Sequence, residues 1–143
     1  KVIYAKDINF SYRNCNLDEN LIFISATLKG KNEEMIKIKN KIDKLKIQKE
    51  KTQPSRIKTC GSTFKNPPNK KAWELIKISG CAGMKIGDAY ISEKHCNFFV
   101  NNGKAKSDDL EKLINQTKNK VLEKTGVNLE LELQIIGKKI WKK

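Results

Sequence analysis

The chain reads K-I-G-D-A-Y-I-S-E-K-H-C-N-F-F-V-N from Lys85 to Asn101. Two runs in this stretch, Lys85–Ser92 and Cys96–Asn101, are rich in residues typical of β-strands. The connection between them is very short, whereas a parallel pair of strands needs a crossover of roughly a dozen residues. The stretch therefore predicts two antiparallel neighbours, and Asn101-Asn102-Gly103 supplies the turn that follows them.

Three helical patterns are interleaved with the predicted strands. The first runs from Glu33 to Gln53, the second spans roughly Asn69–Ile78, and the third runs from Ser107, with Ser107-Asp108-Asp109 as its cap, to Gly126. The first carries an apolar stripe among many lysines, whose charges we interpret as a solvated face; the stripe is Met35, Ile38, Ile42 and Leu45. The residues predicted to face inward on the other two are Ala72, Leu75, Ile76, Leu110, Leu113, Ile114, Thr117 and Val121.

Further strands are predicted towards both ends of the chain. Val2–Tyr12 reads as one or two short strands broken near Lys6-Asp7, and Leu21–Leu28 reads as a better strand. Near the other end, Leu129, Leu131, Leu133 and Ile135 alternate with Glu130, Glu132 and Gln134, which predicts a half-buried strand. The last residues, Lys138–Lys143, are expected to fray. Together these elements predict an α+β fold, a mainly antiparallel sheet with about three helices packed on it.

The composition argues against several classes of function. A net charge of +14 suggests attraction to polyanions, but 28 of the 30 basic residues are Lys, and only Arg13 and Arg56 are Arg. Specific base recognition depends largely on Arg, so we predict no specific nucleic-acid partner. No apolar run is long enough to span a membrane and no signal-peptide pattern is present, so no membrane partner is expected either.

The four cysteines form no C-x-x-C pair and no spacing typical of metal ligands; they are Cys15, Cys60, Cys81 and Cys96. With His95 as the one histidine, a structural zinc site is not expected. Free thiols without secretory features are typical of a reducing compartment, which predicts a cytoplasmic protein. The sequence starts at Lys1 without an initiator Met, so we expect it to be a processed, truncated or excised piece.

The segment G-S-T-F-K-N-P-P, from Gly61 to Pro68, directly precedes the second predicted helix. A helix N-terminus presents free N–H groups and the positive end of the helix dipole. Lys65 and Asn66 beside it therefore form a candidate pocket for a carboxylate or phosphate, and Ser62 is a side chain in this turn that can carry a proton. On the local residues alone, an ordinary Pro-rich turn is the better-supported alternative.

Six segments resemble, in order, one family. They are F-S-Y-R-N-C at Phe10–Cys15, T-Q-P at Thr52–Pro54, G-S-T-F-K-N-P at Gly61–Pro67, A-W-E-L-I at Ala72–Ile76, I-G-D-A-Y-I-S-E-K-H-C-N-F-F-V-N at Ile86–Asn101 and L-E-L-E-L-Q-I-I-G at Leu129–Gly137. Each segment is weak alone, but their order and spacing together are specific. Through them the chain resembles the C-terminal part of UDP-N-acetylenolpyruvoylglucosamine reductase, in the shorter of that family's two subtypes.

The resemblance implies a division of the chain and a missing part. Residues 1–30 would be the tail of a flavin-binding region, and residues 31–143 would be the C-terminal substrate-binding domain. Most of the family's FAD site lies in an N-terminal domain that would precede Lys1, and no Gly-rich phosphate loop is found here. The implied partners are this flavin domain and the substrate, UDP-N-acetylglucosamine enolpyruvate.

The resemblance also implies the reaction and its catalytic residues. In the family, NADPH reduces FAD, the flavin passes hydride to the enolpyruvyl double bond, and the product is UDP-N-acetylmuramate for peptidoglycan. Ser62 in G-S-T-F matches the proton donor, and Arg13 in the Y-R motif and Glu132 in L-E-L match the two other catalytic residues. Without the resemblance, Arg13 reads as a surface charge at a strand end and Ser62 as a turn hydroxyl.

Four residues are implied to bind the substrate. Asn66 and Lys65 follow the serine motif, Gln53 is expected to approach the diphosphate, and His95 aligns with a position used for the nucleotide-sugar. For His95, a packed or surface histidine at a strand start is an equally supported alternative.

Three residues depart from the family's pattern. Cys15 replaces a serine, Cys60 stands where a small residue is usual, and Asp88 replaces a glycine. Because Asp88 brings a carboxylate near an anion-binding region, we expect local repulsion to lower the affinity for substrate. Two other functions stay open: a non-catalytic UDP-sugar-binding remnant and, with less support, a basic nucleic-acid-binding module.

Overall fold

The structure is a computed structural model, and it describes residues 1–137. The chain divides into two compact units, of which the first is Lys1–Glu34 and the second begins at Met35. The predicted α+β class is confirmed, since the described residues contain three α-helices, a two-stranded sheet and a four-stranded sheet. Within these residues no helix is both long enough and apolar enough to cross a membrane.

The first unit contains a 3-10 turn and a small hairpin. The turn spans Ala5–Asp7, where the sequence predicted a break, and strands β1 (Phe10–Ser11) and β2 (Asn14–Cys15) pair antiparallel. The predicted strand Leu21–Leu28 is wrong, because these residues form no regular structure. A strand needs a neighbour for its backbone N–H and C=O groups, and β1 and β2 pair with each other. The apolar residues of the segment are therefore exposed rather than packed.

Helix α1, Met35–Thr52, opens the second unit and confirms the first helical pattern. None of its residues is buried, and the apolar stripe from Met35 to Leu45 is exposed together with the lysines. The solvated basic face is thus as predicted. No other element in the described part of the second unit packs over the apolar stripe. The Gln53 N–H donates to the Lys49 carbonyl and so extends the last turn by one residue.

The four-stranded sheet of the second unit is wholly antiparallel. Its strands are β3 (Lys58–Ser62), β4 (Lys85–Ile86), β5 (Ala89–Ile91) and β6 (Phe98–Asn101), in the spatial order β3-β6-β5-β4. The predicted strand Cys96–Asn101 contains β6, which pairs with β5 so that Tyr90 lies opposite Val100. The predicted strand Lys85–Ser92 is a correction, because a turn at Gly87-Asp88 divides it into β4 and β5, which pair with each other. Strand β3 is a correction, since the sequence predicted a loop throughout residues 55–68.

Helices α2 (Ala72–Ile78) and α3 (Ser107–Thr125) bury the residues that their periodicity predicted. Leu110 is partly buried, and the others, from Ala72 to Val121, are buried together with Phe64, Phe99, Ile91 and Leu129. The cap of α3 begins one residue earlier than predicted: Lys106 is the N-cap, and its N–H donates to the Asp109 carboxylate at 2.9 Å. The core therefore lies between the sheet and these two helices.

The C-terminal segment is only partly as predicted. Leu129 is fully buried and Leu131 bridges Phe64 antiparallel, but residues 129–135 form no continuous strand, and Ile135 is half exposed. Pairing is confined to the residues beside the Phe64 bridge, where hydrogen bonds join Lys65 to Glu130 and Glu132 to Thr63. The predicted fraying of Lys138–Lys143 lies outside the described residues.

Candidate active site

Ser62 lies at the last position of β3, just after an irregularity in the pairing. Thr59 pairs with Val100 and Ser62 pairs with Phe98, so β3 contains one more residue than β6 over this interval. Gly61 has a φ of 84°, a left-handed conformation that glycine adopts without steric cost. Such a bulge redirects the side chains that follow it, and it leaves Ser62 half-buried at the edge of the core.

The backbone brings the segment after Ser62 beside the segment that carries Glu132. The Glu132 N–H donates to the Thr63 carbonyl at 2.9 Å, and the Lys65 N–H donates to the Glu130 carbonyl at 2.8 Å. These bonds flank the bridge between Phe64 and Leu131. The two predicted catalytic residues of this unit thus belong to adjacent segments, although almost half the chain separates them in sequence.

Glu130 and Glu132, predicted to share one strand face, have different surroundings. Glu132 is half-buried, whereas the Glu130 side chain is 75% exposed and lies 3.7 Å from the Lys65 ammonium. An ion pair of this length at the surface contributes little to stability, because water and salt screen it. The Lys65 side chain is therefore available to an anionic ligand at small cost.

Asn66 has a structural role at the entrance of α2. Its side-chain oxygen accepts a hydrogen bond from the Ala72 N–H at 3.0 Å. The helix begins at Ala72 rather than near Asn69, and one of its terminal N–H groups is already satisfied by this bond. Asn66 thus holds the first N–H group of the helix, and the anion pocket predicted for Asn66 and Lys65 stays a prediction.

His95 packs between aromatic rings. Its ring centroid lies 4.7 Å from that of Phe98, nearly perpendicular, and 6.2 Å from that of Trp73. Burial lowers the pKa of His95, and its Nδ1 atom is buried without a hydrogen-bond partner. Phe98 pairs with Ser62 and contacts the His95 ring, so Phe98 links His95 to the strand of the predicted proton donor. Its packing matches the packed-histidine alternative, and its role in substrate binding stays a prediction.

Gln53 follows the last turn of α1 and is half-buried. The Lys94 ammonium donates to the Glu50 carbonyl, which links this end of α1 to the loop that carries His95. Gln53 is therefore close in the fold to the same loop, and its approach to a diphosphate stays a prediction.

Arg13 occupies the turn of the hairpin in the first unit. Tyr12 and Arg13 connect β1 to β2, so Arg13 lies in a tight turn rather than at a free strand end. Its φ is 58°, which is uncommon for a residue with a side chain, and its guanidinium lies 5.0 Å from the centroid of the Tyr12 ring. Unusual backbone angles cluster at functional sites. The convergence of Arg13 with Ser62 and Glu132 stays a prediction.

Asp88, the departure expected to repel an anion, holds a turn. Its carboxylate accepts the Lys104 N–H at 2.7 Å and the Asn102 side-chain amide at 3.2 Å, while its carbonyl accepts the Asn102 N–H at 2.9 Å. These bonds tie the β4–β5 turn to the loop between β6 and α3. A structural reason for a carboxylate at this position is thus present in the chain itself.

The cysteines of the core are structural. Cys81 and Cys96 are buried, and burial raises the pKa of both thiols, which keeps them protonated. Cys60 is exposed beside Gly61. Within residues 1–137, no cluster of three His, Cys, Asp or Glu side chains could hold a metal ion.

The sequence analysis missed one residue of this region, Asn97. Its side chain is 3% exposed and makes hydrogen bonds to both backbone groups of Phe64. A signal existed, since asparagine is depleted in strands and Asn97 stands beside the apolar run Phe98–Val100. A buried amide in such a place must find partners, but the sequence does not say which.

Comparison with known proteins identifies relatives of this chain. A family model described as the C-terminal domain of UDP-N-acetylenolpyruvoylglucosamine reductase matches residues 53–136. The reductase of that name from Pelagibacter ubique is 47% identical over 137 residues, covering 94% of this chain and 45% of the relative. The reductase from Gluconobacter oxydans is 44% identical over 133 residues, covering 93% of this chain and 44% of the relative.

A solved structure is also similar. The crystal structure of UDP-N-acetylenolpyruvylglucosamine reductase from Thermus caldophilus matches with a TM-score of 0.76 and 34% identity, over 90% of this chain and 46% of that one. The chain therefore spans just under half the length of these relatives. The match of the family model over most of the second unit, with these identities, shows that the chain belongs to the UDP-N-acetylenolpyruvoylglucosamine reductase C-terminal domain family.

Proposed function

We propose that this chain is the substrate-binding part of a flavoenzyme that reduces UDP-N-acetylglucosamine enolpyruvate to UDP-N-acetylmuramate. The reductant is NADPH, FAD carries the electrons, and the product enters peptidoglycan synthesis in the cytoplasm. The single observation that supports this most is the hydrogen bond from the Glu132 N–H to the Thr63 carbonyl, at 2.9 Å. It joins the segment of the predicted proton donor to the segment of the predicted glutamate.

FAD would be bound mainly outside this chain. A dinucleotide phosphate site uses several glycines between a strand and a helix N-terminus. Three connections of that kind are described here: residues 16–34 contain only Gly30, residues 63–71 contain no glycine, and residues 102–106 contain only Gly103. These residues do not fit such a site, so the flavin domain of the proposal is a separate part of the enzyme.

The chemistry assigned to this chain is delivery of a proton. When bound, the reduced flavin supplies hydride to the enolpyruvyl double bond. The Ser62 hydroxyl gives its proton to the carbon next to the substrate carboxylate, where negative charge develops. Serine is a weak acid, so this transfer needs a site from which water is excluded and partners that stabilise the charge.

Arg13 and Glu132 are the partners in the proposal. The guanidinium of Arg13 holds the carboxylate and the developing enolate through a charge-assisted, forked contact. Glu132 hydrogen-bonds near the same centre, and its half-buried position is suited to that role. Lys65 and Asn66 contact the substrate beside the serine, and His95 and Gln53 contact its nucleotide end.

A fusion protein tests the proposal. It joins this chain to the part of the Pelagibacter ubique reductase that the chain does not span, and it is hereafter called the fusion protein. We expect it to oxidise NADPH when the enolpyruvyl sugar nucleotide is present, and Ser62→Ala to leave flavin reduction intact while abolishing flavin reoxidation by substrate. Reoxidation at the normal rate in Ser62→Ala would exclude the proton-donor role.

The chain alone provides the second arm of the test. It is expected to bind the substrate in a calorimetric titration and to catalyse no reduction, because it lacks the flavin. If the fusion protein binds substrate with normal affinity but does not reduce it, the chain is a UDP-sugar-binding remnant instead. Glu130→Gln is the matched control for Glu132→Gln, since Glu130 is two residues away and exposed.

A further inference from the structure

The side chain of Asn97 makes the hydrogen bonds to the Phe64 backbone that a neighbouring strand would otherwise make. The Phe64 N–H donates to Asn97 Oδ1 at 3.0 Å, and the Asn97 side-chain amide donates to the Phe64 carbonyl at 2.8 Å. The Thr63 N–H also donates to the Asn97 backbone carbonyl, at 2.8 Å. Regular pairing of β3 with β6 ends at Ser62 and Phe98, so these bonds continue the attachment for two more residues.

The same two residues are attached on their other side to the segment of Glu132. The Thr63 carbonyl accepts the Glu132 N–H at 2.9 Å, and Phe64 bridges Leu131. Thr63 and Phe64 are therefore held between Asn97 and the C-terminal segment, and all of these contacts lie within one unit. The position of Ser62 relative to Glu132 depends on this attachment. The bulge at Gly61 interrupts the regular pairing of β3 with β6 just before Ser62, so that pairing alone does not fix Ser62.

We propose that Asn97 is a positioning residue for proton transfer: its side-chain amide fixes the backbone of Phe64 and thereby holds Ser62 beside the Glu132 segment. The inference rests on the proposed function, since it concerns the same proton-transfer site. An amide is suited to the task because it carries one donor and one acceptor in a plane, which match one backbone C=O and one N–H. Asn97 is 3% exposed, so Asn97→Asp leaves the Phe64 carbonyl buried without its donor, and Asn97→Ser removes the partners of both Phe64 groups.

Asn101, the last residue of β6, offers a matched control, since Asn97 directly precedes the same strand. Its side chain also clamps backbone, accepting the Gly103 and Ala105 N–H groups at 2.8 and 3.0 Å and donating to the Ala105 carbonyl at 3.2 Å. It holds the loop before α3 rather than the residues after Ser62. A comparison of Asn97 and Asn101 variants therefore distinguishes the effect of losing the hydrogen bonds to Phe64 from the effect of losing any asparagine whose side chain binds backbone.

The test compares Asn97→Asp, Asn97→Ser and Asn101→Ser in the fusion protein. For both Asn97 variants we expect kcat to fall by between about ten- and a hundredfold, because a small misplacement of a reacting group has effects of that order. The KM for substrate should change far less, and NADPH should reduce the flavin at the normal rate. Slower proton delivery should also raise the solvent deuterium isotope effect on kcat.

Amide hydrogen exchange gives a readout that is independent of activity. The Phe64 N–H should exchange faster in Asn97→Ser, which loses the acceptor oxygen of the longer side chain, while the Val100 N–H within β6 stays protected. Asn101→Ser should lower stability and leave kcat and the isotope effect of the folded enzyme unchanged. Circular dichroism shows whether each variant folds. Two variants at Asn97 are used, so the test can still be made if one of them does not fold.

The outcomes separate this inference from the function on which it rests. If a folded Asn97 variant shows wild-type kcat and isotope effect while Ser62→Ala is inactive, Asn97 has no positioning role and the proposed function stands. If Ser62→Ala itself reoxidises flavin normally, the proton-donor assignment fails first. If Asn101→Ser lowers kcat and raises the isotope effect as much as Asn97→Ser, the effect is structural and the inference is overturned.

Discussion

The Asn66 side-chain oxygen accepts a hydrogen bond from the Ala72 N–H at 3.0 Å, so a residue proposed to contact substrate also caps α2. Loss of a cap costs about 1 kcal/mol. We expect Asn66→Ala to lower the free energy of unfolding by about that amount and also to weaken substrate binding. Urea denaturation and calorimetric titration measure the two effects separately.

Asn66→Asp distinguishes the two roles. It keeps an acceptor oxygen for the Ala72 N–H, so stability should stay near that of the wild type. It also places a negative charge where an anionic ligand is expected, so substrate affinity should fall. A variant that unfolds as easily as Asn66→Ala would contradict the capping role, and one with wild-type affinity would contradict the binding role.

The packing of His95 predicts how stability depends on pH. Burial lowers its pKa below the ordinary value of 6.5, so the folded protein binds the proton less readily than the unfolded chain. The contribution to stability is complete above about pH 6.5 and is lost as the pH falls towards the folded-state pKa. We therefore expect His95→Gln to reduce the fall of Tm between about pH 7.5 and pH 5. Parallel curves for wild type and variant would show that His95 does not contribute.

Alanine substitutions at two glycines distinguish the cost of backbone strain from the cost of a steric clash. Gly61 and Gly87 have φ values of 84° and 54°, but a Cβ would meet nothing within 4 Å at Gly61 and would lie 2.7 Å from Asp109 Oδ2 at Gly87. We expect Gly61→Ala to cost about 1–2 kcal/mol through backbone strain alone. Gly87→Ala should cost more, because the displaced carboxylate accepts the Lys106 N–H at 2.9 Å. Equal losses in urea denaturation would show that the Asp109 contact adds nothing.

The turn held by Asp88 predicts a loss of stability when the family's glycine is restored. Asp88→Gly removes the acceptors of the Lys104 N–H and the Asn102 side chain, and each such bond is worth about 1 kcal/mol. The same variant tests the repulsion expected from the sequence, because any effect of the carboxylate on substrate affinity disappears with it. Thermal unfolding and calorimetric titration of wild type, Asp88→Gly and Asp88→Asn check both points. Unchanged Tm in Asp88→Gly would contradict the structural role.

Local patterns were sufficient to predict the helices and their buried faces. The apolar residues of α2 and α3 recur at the helical period, so Leu75, Ile76, Leu113 and Val121 could be placed in the core without knowledge of the fold. The antiparallel pair β5–β6 followed from its short connection.

Elements whose structure depends on distant residues were not predicted. A strand exists only with a partner, so the alternation in Leu21–Leu28 and in Leu129–Ile135 could not show whether either segment is paired. The first is not, and the second is paired only around Leu131. The contact between Asn97 and Phe64 was missed for the same reason, because the sequence does not say which backbone a buried amide meets.

The bridge between Phe64 and Leu131 also sets the order in which the site can form during translation. The ribosome makes Ser62 and the strand that carries it long before it makes Leu131 and Glu132. A nascent chain therefore carries the proposed acid throughout the interval in which its carboxylate neighbour has not yet been synthesised. A message that stops just before the codon of Leu131 would yield a chain with most of its core and an incomplete site.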